Sequence, residues 1–208
     1  MKLGKTIRKG PKSTDHILIL AHGAGAPMDS DWMNDLCEAL ARANVQTLRF
    51  EFPYMQARRD TGKKSPPNRM PLLHQCWKLA LEKAAPHKRI FVGGKSMGGR
   101  AISLIADDQN VEGLICFGFP FHAPGKLPKD RIQHLEDLKT PTLILQGDRD
   151  PMGSKDEVSS YKLSPSIKVS YLDDGDHSFK PRVKSGHTLE GHIQSAATQT
   201  AEFIFSKT

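Results

Sequence analysis

Six short apolar runs rich in β-branched residues recur along the chain, at residues 17–21, 45–52, 90–93, 113–119, 141–146 and 167–172. Most are apolar on consecutive residues. A strand with one wet face alternates; a strand buried on both faces does not. Between the runs, apolar residues return at helical spacing. Trp32, Met33, Leu36, Cys37 and Leu40 form one such face. Pro71 suits the first turn of a second helix, which turns Leu72, Leu73, Cys76, Trp77, Ala80 and Leu81 inward. A third helix follows Ser96 with Ala101, Ile102 and Ile105. A short one is expected over 154–163, and a last over 186–206 with Leu189, Ile193, Ala196, Thr200 and Phe203 as its stripe. Both tryptophans, at helical spacing with aliphatic residues, read as core. Strands alternating with helices predict an α/β fold. The expectation is a single domain over residues 1–208. Its mostly parallel sheet of six to seven strands is flanked by helices and joined by right-handed crossovers.

Composition narrows the class. A chain of 208 residues can bury a sizeable core without a metal or disulfide staple. No apolar run approaches the roughly 18 residues of a membrane helix. The N-terminus is basic at Lys2, Lys5, Arg8 and Lys9, but Lys12, Asp15 and His16 interrupt any signal-peptide core. A soluble, cytoplasmic protein without a membrane span is expected. Cys37, Cys76 and Cys116 are odd in number, far apart and set in apolar patterns. That argues against a disulfide framework and against a zinc site. The formal net charge of +7 can attract nucleic acid or a small anion, or serve solubility alone. No nucleic-acid motif accompanies it and the charge is spread, so no specific nucleic-acid partner is expected.

Residues 56–70 break the pattern. They hold Arg58, Arg59, Lys63, Lys64, Arg69 and the pair Pro66-Pro67. The stretch reads as a long loop, solvated or facing a site. Arginine grips a carboxylate through two hydrogen bonds, which makes Arg58, Arg59 and Arg69 candidates for binding an acidic group of a substrate.

The chemistry centres on Gly94-Lys95-Ser96-Met97-Gly98, a G-x-S-x-G motif. It follows an apolar run directly and precedes a helical pattern directly. Strand, turn and helix in that order present a serine at a sharp turn beyond the sheet edge. The helix dipole there favours negative charge. Gly94-Lys95-Ser96 also resembles the end of a phosphate-binding loop. That motif needs glycine at position 89, where this chain has Arg89, and strand-forming residues fill the interval.

A serine hydroxyl needs a base, and the base an orienting acid. On such a sheet the expected order is serine, acid, histidine. Gly147-Asp148-Arg149-Asp150-Pro151 follows one strand and supplies Asp148 and Asp150 as acids. Asp173-Asp174-Gly175-Asp176-His177-Ser178-Phe179 follows the next and supplies His177. Both lie at C-terminal strand ends, where α/β sheets place their sites. The oxyanion donors expected are the backbone N–H of Met97 and one from His22-Gly23-Ala24-Gly25-Ala26, namely Ala24. His22 reads as a residue that orients backbone, and His187 and His192 as surface or packing residues of the last helix.

These four motifs, with Phe50-Glu51-Phe52-Pro53-Tyr54, resemble the α/β-hydrolase superfamily from about residue 16 to the end. The likeness is to its small, capless branch, related to dienelactone hydrolases, carboxylesterases and the testis-expressed predicted hydrolases. The resemblance implies an eight-stranded sheet, trimmed here at the N-terminus, with no cap domain. It also selects Asp150 over Asp148, since the family's acid is commonly the third residue after this glycine. The chain departs from dienelactone hydrolases in having serine, not cysteine, as nucleophile. The function implied is hydrolysis of a small-molecule ester or related acyl bond, with no metal or organic cofactor; the positive charge and the arginines of the basic loop add the expectation of an anionic substrate. The alternative is a hydrolase-shaped scaffold that binds a protein or small molecule without catalysis.

Overall fold

A computed structural model describes residues 3–86, 89–123, 125 and 131–206. Its strands are β1 (Thr6–Lys9), β2 (His16–Ala21), β3 (Thr47–Phe50), β4 (Arg89–Lys95), β5 (Gly113–Phe117), β6 (Thr142–Gly147) and β7 (Ile167–Leu172). They form one sheet in the order β1-β3-β2-β4-β5-β6-β7. All neighbours are parallel except β1, which runs antiparallel to β3. The helices are α1 (Asp31–Arg42), α2 (Pro53–Thr61), α3 (Met70–Ala84), α4 (Met97–Ser103), α5 (Lys155–Ser159) and α6 (Leu189–Phe205).

The consecutive apolar runs are explained by two core layers. Ile17, Ile19 and Ala21 of β2 join Val92, Leu114 and Ile144 beneath α3 and α4. Leu18 and Leu20 point the other way and join Phe91, Ile115, Phe117 and Leu145 beneath α1 and α6. Successive strand residues face opposite sides, so two covered faces require apolar residues at every position. No cap covers the strand ends among the described residues, and no described helix is long and apolar enough to cross a membrane. The three cysteines are buried and unpaired.

Three features differ from expectation. β1 is a seventh strand with a single aliphatic residue, Ile7, and an edge position. Its pairing comes from the open side of β3, not from its own hydrophobicity. Residues 56–70 are only partly loop, because α2 claims the first half. Pro53 sets the first turn of α2, Tyr54 and Met55 are buried, and Gly62 ends it at φ 70°. One buried turn is too short for a periodicity to show. α6 starts at Leu189 after its cap Thr188, later than expected, and its buried stripe runs through Ile193, Ala196, Ala197, Thr200 and Ile204.

The strand order places the site. From β2 the chain moves outward to β3, then crosses back to β4 on the other side of β2. Connections leave β2 and β4 in opposite directions, which opens a crevice beyond their C-terminal ends. The loop 22–26 and Ser96 both face that crevice.

Candidate active site

Ser96 lies between β4 and α4 with φ 51° and ψ −117°, a backbone conformation rare for any side-chain-bearing residue. Such strain typically stores about 1–3 kcal/mol, held in place by surrounding packing. The glycines make it possible. A Cβ on Gly94 would lie 2.7 Å from the Ala21 carbonyl oxygen. One on Gly98 would lie 2.7 Å from the carbonyl oxygens of both Ala21 and His22. Neither approach admits a side chain, so the motif's outer positions must be glycine.

His177 arrives on the loop after β7. Its Nε2 accepts the Ser96 hydroxyl at 2.8 Å, and its Nδ1–H donates to Asp150 Oδ2 at 2.7 Å. Asp150 is fully buried. Its other oxygen accepts the Met152 N–H at 2.8 Å, and Gln146 Nε2 donates to Oδ2 at 2.8 Å. The imidazole bonds Asp150 and not Asp148, whose Oδ1 is buried without a hydrogen-bond partner among the described residues. Gln146 carried no signal in the sequence beyond being polar at the end of an apolar run. It is fully buried, receives the Phe119 N–H at 2.7 Å and fixes the carboxylate from below.

The loop after β2 is shaped by side chains around it. His22 Nε2 accepts the Phe52 N–H at 3.1 Å, so Nδ1 carries the proton and donates to the Gly23 carbonyl at 2.7 Å. Burial lowers the His22 pKa and keeps the ring neutral. The Tyr54 hydroxyl lies 3.1 Å from the carbonyl oxygens of Gly23 and Ala24. In a trans peptide the N–H opposes the carbonyl. The held Gly23 carbonyl therefore sends the Ala24 N–H to the side away from Tyr54. Met97 opens α4, so its N–H has no partner within the helix.

Together these elements border a cavity of about 310 Å³. Ala24, Trp32, Met33, Lys95, Met152 and His177 are among its walls. Trp32 is only half-buried and forms part of this wall, a correction to its reading as core. Helical spacing does not distinguish a side chain facing a core from one facing a crevice at its edge.

Two of the three arginines have other tasks. Arg59 pairs with Glu51 at 2.6 Å and with Asp29. Glu51 also receives the Met28 N–H at 3.2 Å. Arg58 donates to the Gly25 carbonyl at 3.1 Å. Arg69 is the exposed cap residue of α3. None of the three borders the cavity. Arg58 and Arg59 hold the 22–29 loop from outside, a use of charge that a basic sequence cluster cannot distinguish from substrate binding.

Four side chains also fasten the backbone of the histidine loop: Arg149 donates to the Asp174 carbonyl at 3.0 and 2.8 Å, and three others reach residues 177–179. Lys95 donates to the His177 carbonyl at 2.5 Å, Trp32 Nε1 to the Ser178 carbonyl at 2.9 Å, and His192 Nδ1 to the Phe179 carbonyl at 2.7 Å. Phe179 is fully buried at φ 69°. Burial brings the Lys95 pKa down to about 8, against the opposing pull of Asp150 and Asp176.

Residues 14–205 match the family model of the α/β-hydrolase domain. The chain belongs to the α/β-hydrolase family. Solved structures share its fold at low identity. Dienelactone hydrolase from Anabaena variabilis is similar at 20% identity and a TM-score of 0.75, over 97% of this chain and 90% of that one. A monoacylglycerol lipase from Paleococcus ferrophilus is similar at 15% identity and a TM-score of 0.71, over 100% of both chains. A Xanthomonas campestris serine hydrolase of this family, described as lacking a lid, gives 16% identity and a TM-score of 0.69, over 94% of this chain and 88% of that one. Among the described residues the fold is that of an α/β hydrolase without a cap, as the resemblance implies. The sheet has seven strands, with the N-terminal part reduced to β1.

Proposed function

We propose that this α/β hydrolase cleaves an ester or related acyl bond of a small molecule, with Ser96 as nucleophile, His177 as general base and acid, and Asp150 as the orienting acid. Family membership supports hydrolysis in general. The specific reading is carried by one observation, the unbroken hydrogen-bonded line from Asp150 through His177 to Ser96 at 2.7 and 2.8 Å.

The chemistry follows from the polarity of that line. Ser96 Oγ bonds to the substrate carbonyl carbon while its proton passes to His177 Nε2. Negative charge gathers on the former carbonyl oxygen, where the N–H groups of Ala24 and Met97 are the proposed donors. The bond to the leaving group then breaks, and the imidazolium supplies its proton. A water molecule repeats the sequence on the acyl-enzyme and frees Ser96. Asp150 holds Nδ1 protonated throughout and stabilises the imidazolium. Each oxyanion donor contributes about 3–4 kcal/mol to lowering the barrier.

The cavity favours a small, uncharged acyl group. Glycine, alanine, methionine and tryptophan make up most of its wall. The expectation of an anionic substrate rested on the net charge and on three arginines, of which Arg58 and Arg59 are engaged elsewhere and Arg69 does not line the cavity. A fluorophosphonate probe tests the reading. Wild-type protein should label once per chain, and Ser96→Ala should not label. Well-folded wild type that stays unlabelled refutes the enzyme reading and favours a non-catalytic scaffold. Among p-nitrophenyl esters, short neutral acyl chains should be preferred over anionic ones.

A further inference from the structure

The three side-chain donors to the carbonyls of residues 177–179 come from three elements: Lys95 from the end of β4, Trp32 from α1 and His192 from α6. Lys95 differs from the other two by its place in the chain. It immediately precedes Ser96, so its backbone carries the nucleophile while its side chain holds the backbone of the base. The peptide of Ser96 is itself fixed to the sheet, since its N–H donates to the Phe117 carbonyl at 3.0 Å.

The surroundings of the ammonium suit a tie. It lies 5.5 Å from the Trp32 ring centroid and 6.0 Å from that of Phe179, both within cation–π range. A charged donor on a carbonyl makes a stronger hydrogen bond than a neutral one. Desolvating an ammonium is costly, and packing alone does not require it, since an aliphatic side chain of similar length fills the same space. We propose that Lys95 is a positioning residue that locks the serine turn and the histidine loop into one unit, so that the Ser96–His177 distance is set from the strand end. The proposal rests on the serine-hydrolase reading for its effect on rate, but the tie itself can be measured without activity.

The titratable groups facing the ammonium are Asp150 from the loop after β6, and Asp176 and His177 from the loop after β7. From α1 and from Phe179 it meets neutral rings. Proton loss from Lys95 near pH 8 weakens the bond to the His177 carbonyl and removes the cation–π attraction.

The test compares wild type, Lys95→Met and Lys95→Arg by kinetics on neutral and anionic esters, fluorophosphonate labelling and hydrogen exchange. In Lys95→Met, kcat should fall by on the order of 10²-fold, the loss that a displacement of about 1 Å produces, with KM for neutral esters unchanged. Amides of residues 176–180 should exchange faster. Arginine keeps a donor and does not deprotonate. Lys95→Arg should therefore recover part of kcat and lack the decline of activity expected of wild type above about pH 8. If Lys95→Met does not fold, the Lys95→Arg pH profile decides. Unchanged kcat together with unchanged loop exchange overturns the tie. A raised KM confined to anionic esters also overturns it, and makes Lys95 a substrate contact. Wild type that neither labels nor hydrolyses defeats the serine-hydrolase reading, while the exchange of residues 176–180 still decides whether Lys95 holds the loop.

Discussion

The serine turn and the histidine loop are built on opposite principles. The turn is local. Its shape comes from glycines within two residues of Ser96, whose missing side chains let backbone lie against backbone. The loop is remote. Its carbonyls are held by β4, α1, α6 and Arg149 of the loop after β6, from residues as far away in sequence as Trp32, 146 positions before its acceptor Ser178. The turn needs only backbone from its neighbours, at β2 and β5, whereas the loop depends on the side chain of every element that contributes a donor. Substitutions should therefore affect the two regions differently.

Ser96→Ala marks the upper limit, with a loss of kcat on the order of 10⁶-fold and no loss of thermal stability. It gains stability if the turn's strain is relieved, which a melting curve will show. Gly98→Ala should come next. Its Cβ meets two backbone carbonyls at 2.7 Å, and backbone does not yield as a side-chain tip does. A melting temperature lowered by an equivalent of about 1–3 kcal/mol is expected, with labelling nearly abolished. A Gly98→Ala protein with wild-type labelling would show the turn to be less dependent on close backbone contact than proposed.

Trp32→Phe tests the remote side. It keeps a ring against Lys95 and loses the hydrogen bond to the Ser178 carbonyl at 2.9 Å. The net value of such a bond is about 1 kcal/mol, so kcat should fall about fivefold, with a larger rise in loop exchange than in unfolding. A further effect is expected on stability against pH. Folded Lys95 releases its proton near 8, whereas the unfolded chain holds it to about 10.5. Between those values the unfolded state binds more protons, so stability contributed by this group rises with pH. Denaturant titrations of wild type and Lys95→Met below and above pH 8 should converge as pH rises. Curves that stay parallel would place the ammonium in water.

The local and remote regions also differ in how they could be read. Ser96 and its glycines form a contiguous word, and the runs before and after it define strand and helix. Asp150 and His177 were readable as candidates because each follows an apolar run at a strand's C-terminal end. Lys95 stood inside the motif without a role, since nothing local to it shows that a carbonyl 82 residues later lies within reach. Gln146 was visible only as a polar residue ending an apolar run, His192 read as a surface or packing residue and Trp32 as core. Arg58 and Arg59 misled in the other direction: a cluster of charge in sequence gives no sign of the carboxylate or carbonyl waiting for it.

The sequence by itself determined the alternation of strands and helices, the doubly buried sheet and the serine turn, because each depends on periodicity or on backbone freedom within a few residues. Only the tertiary structure decided what holds the histidine loop, and which charges face the cavity and which brace its rim. Those depend on hydrogen bonds and ion pairs between elements, whose partners are chosen by crossover geometry and packing over distances that no local pattern encodes.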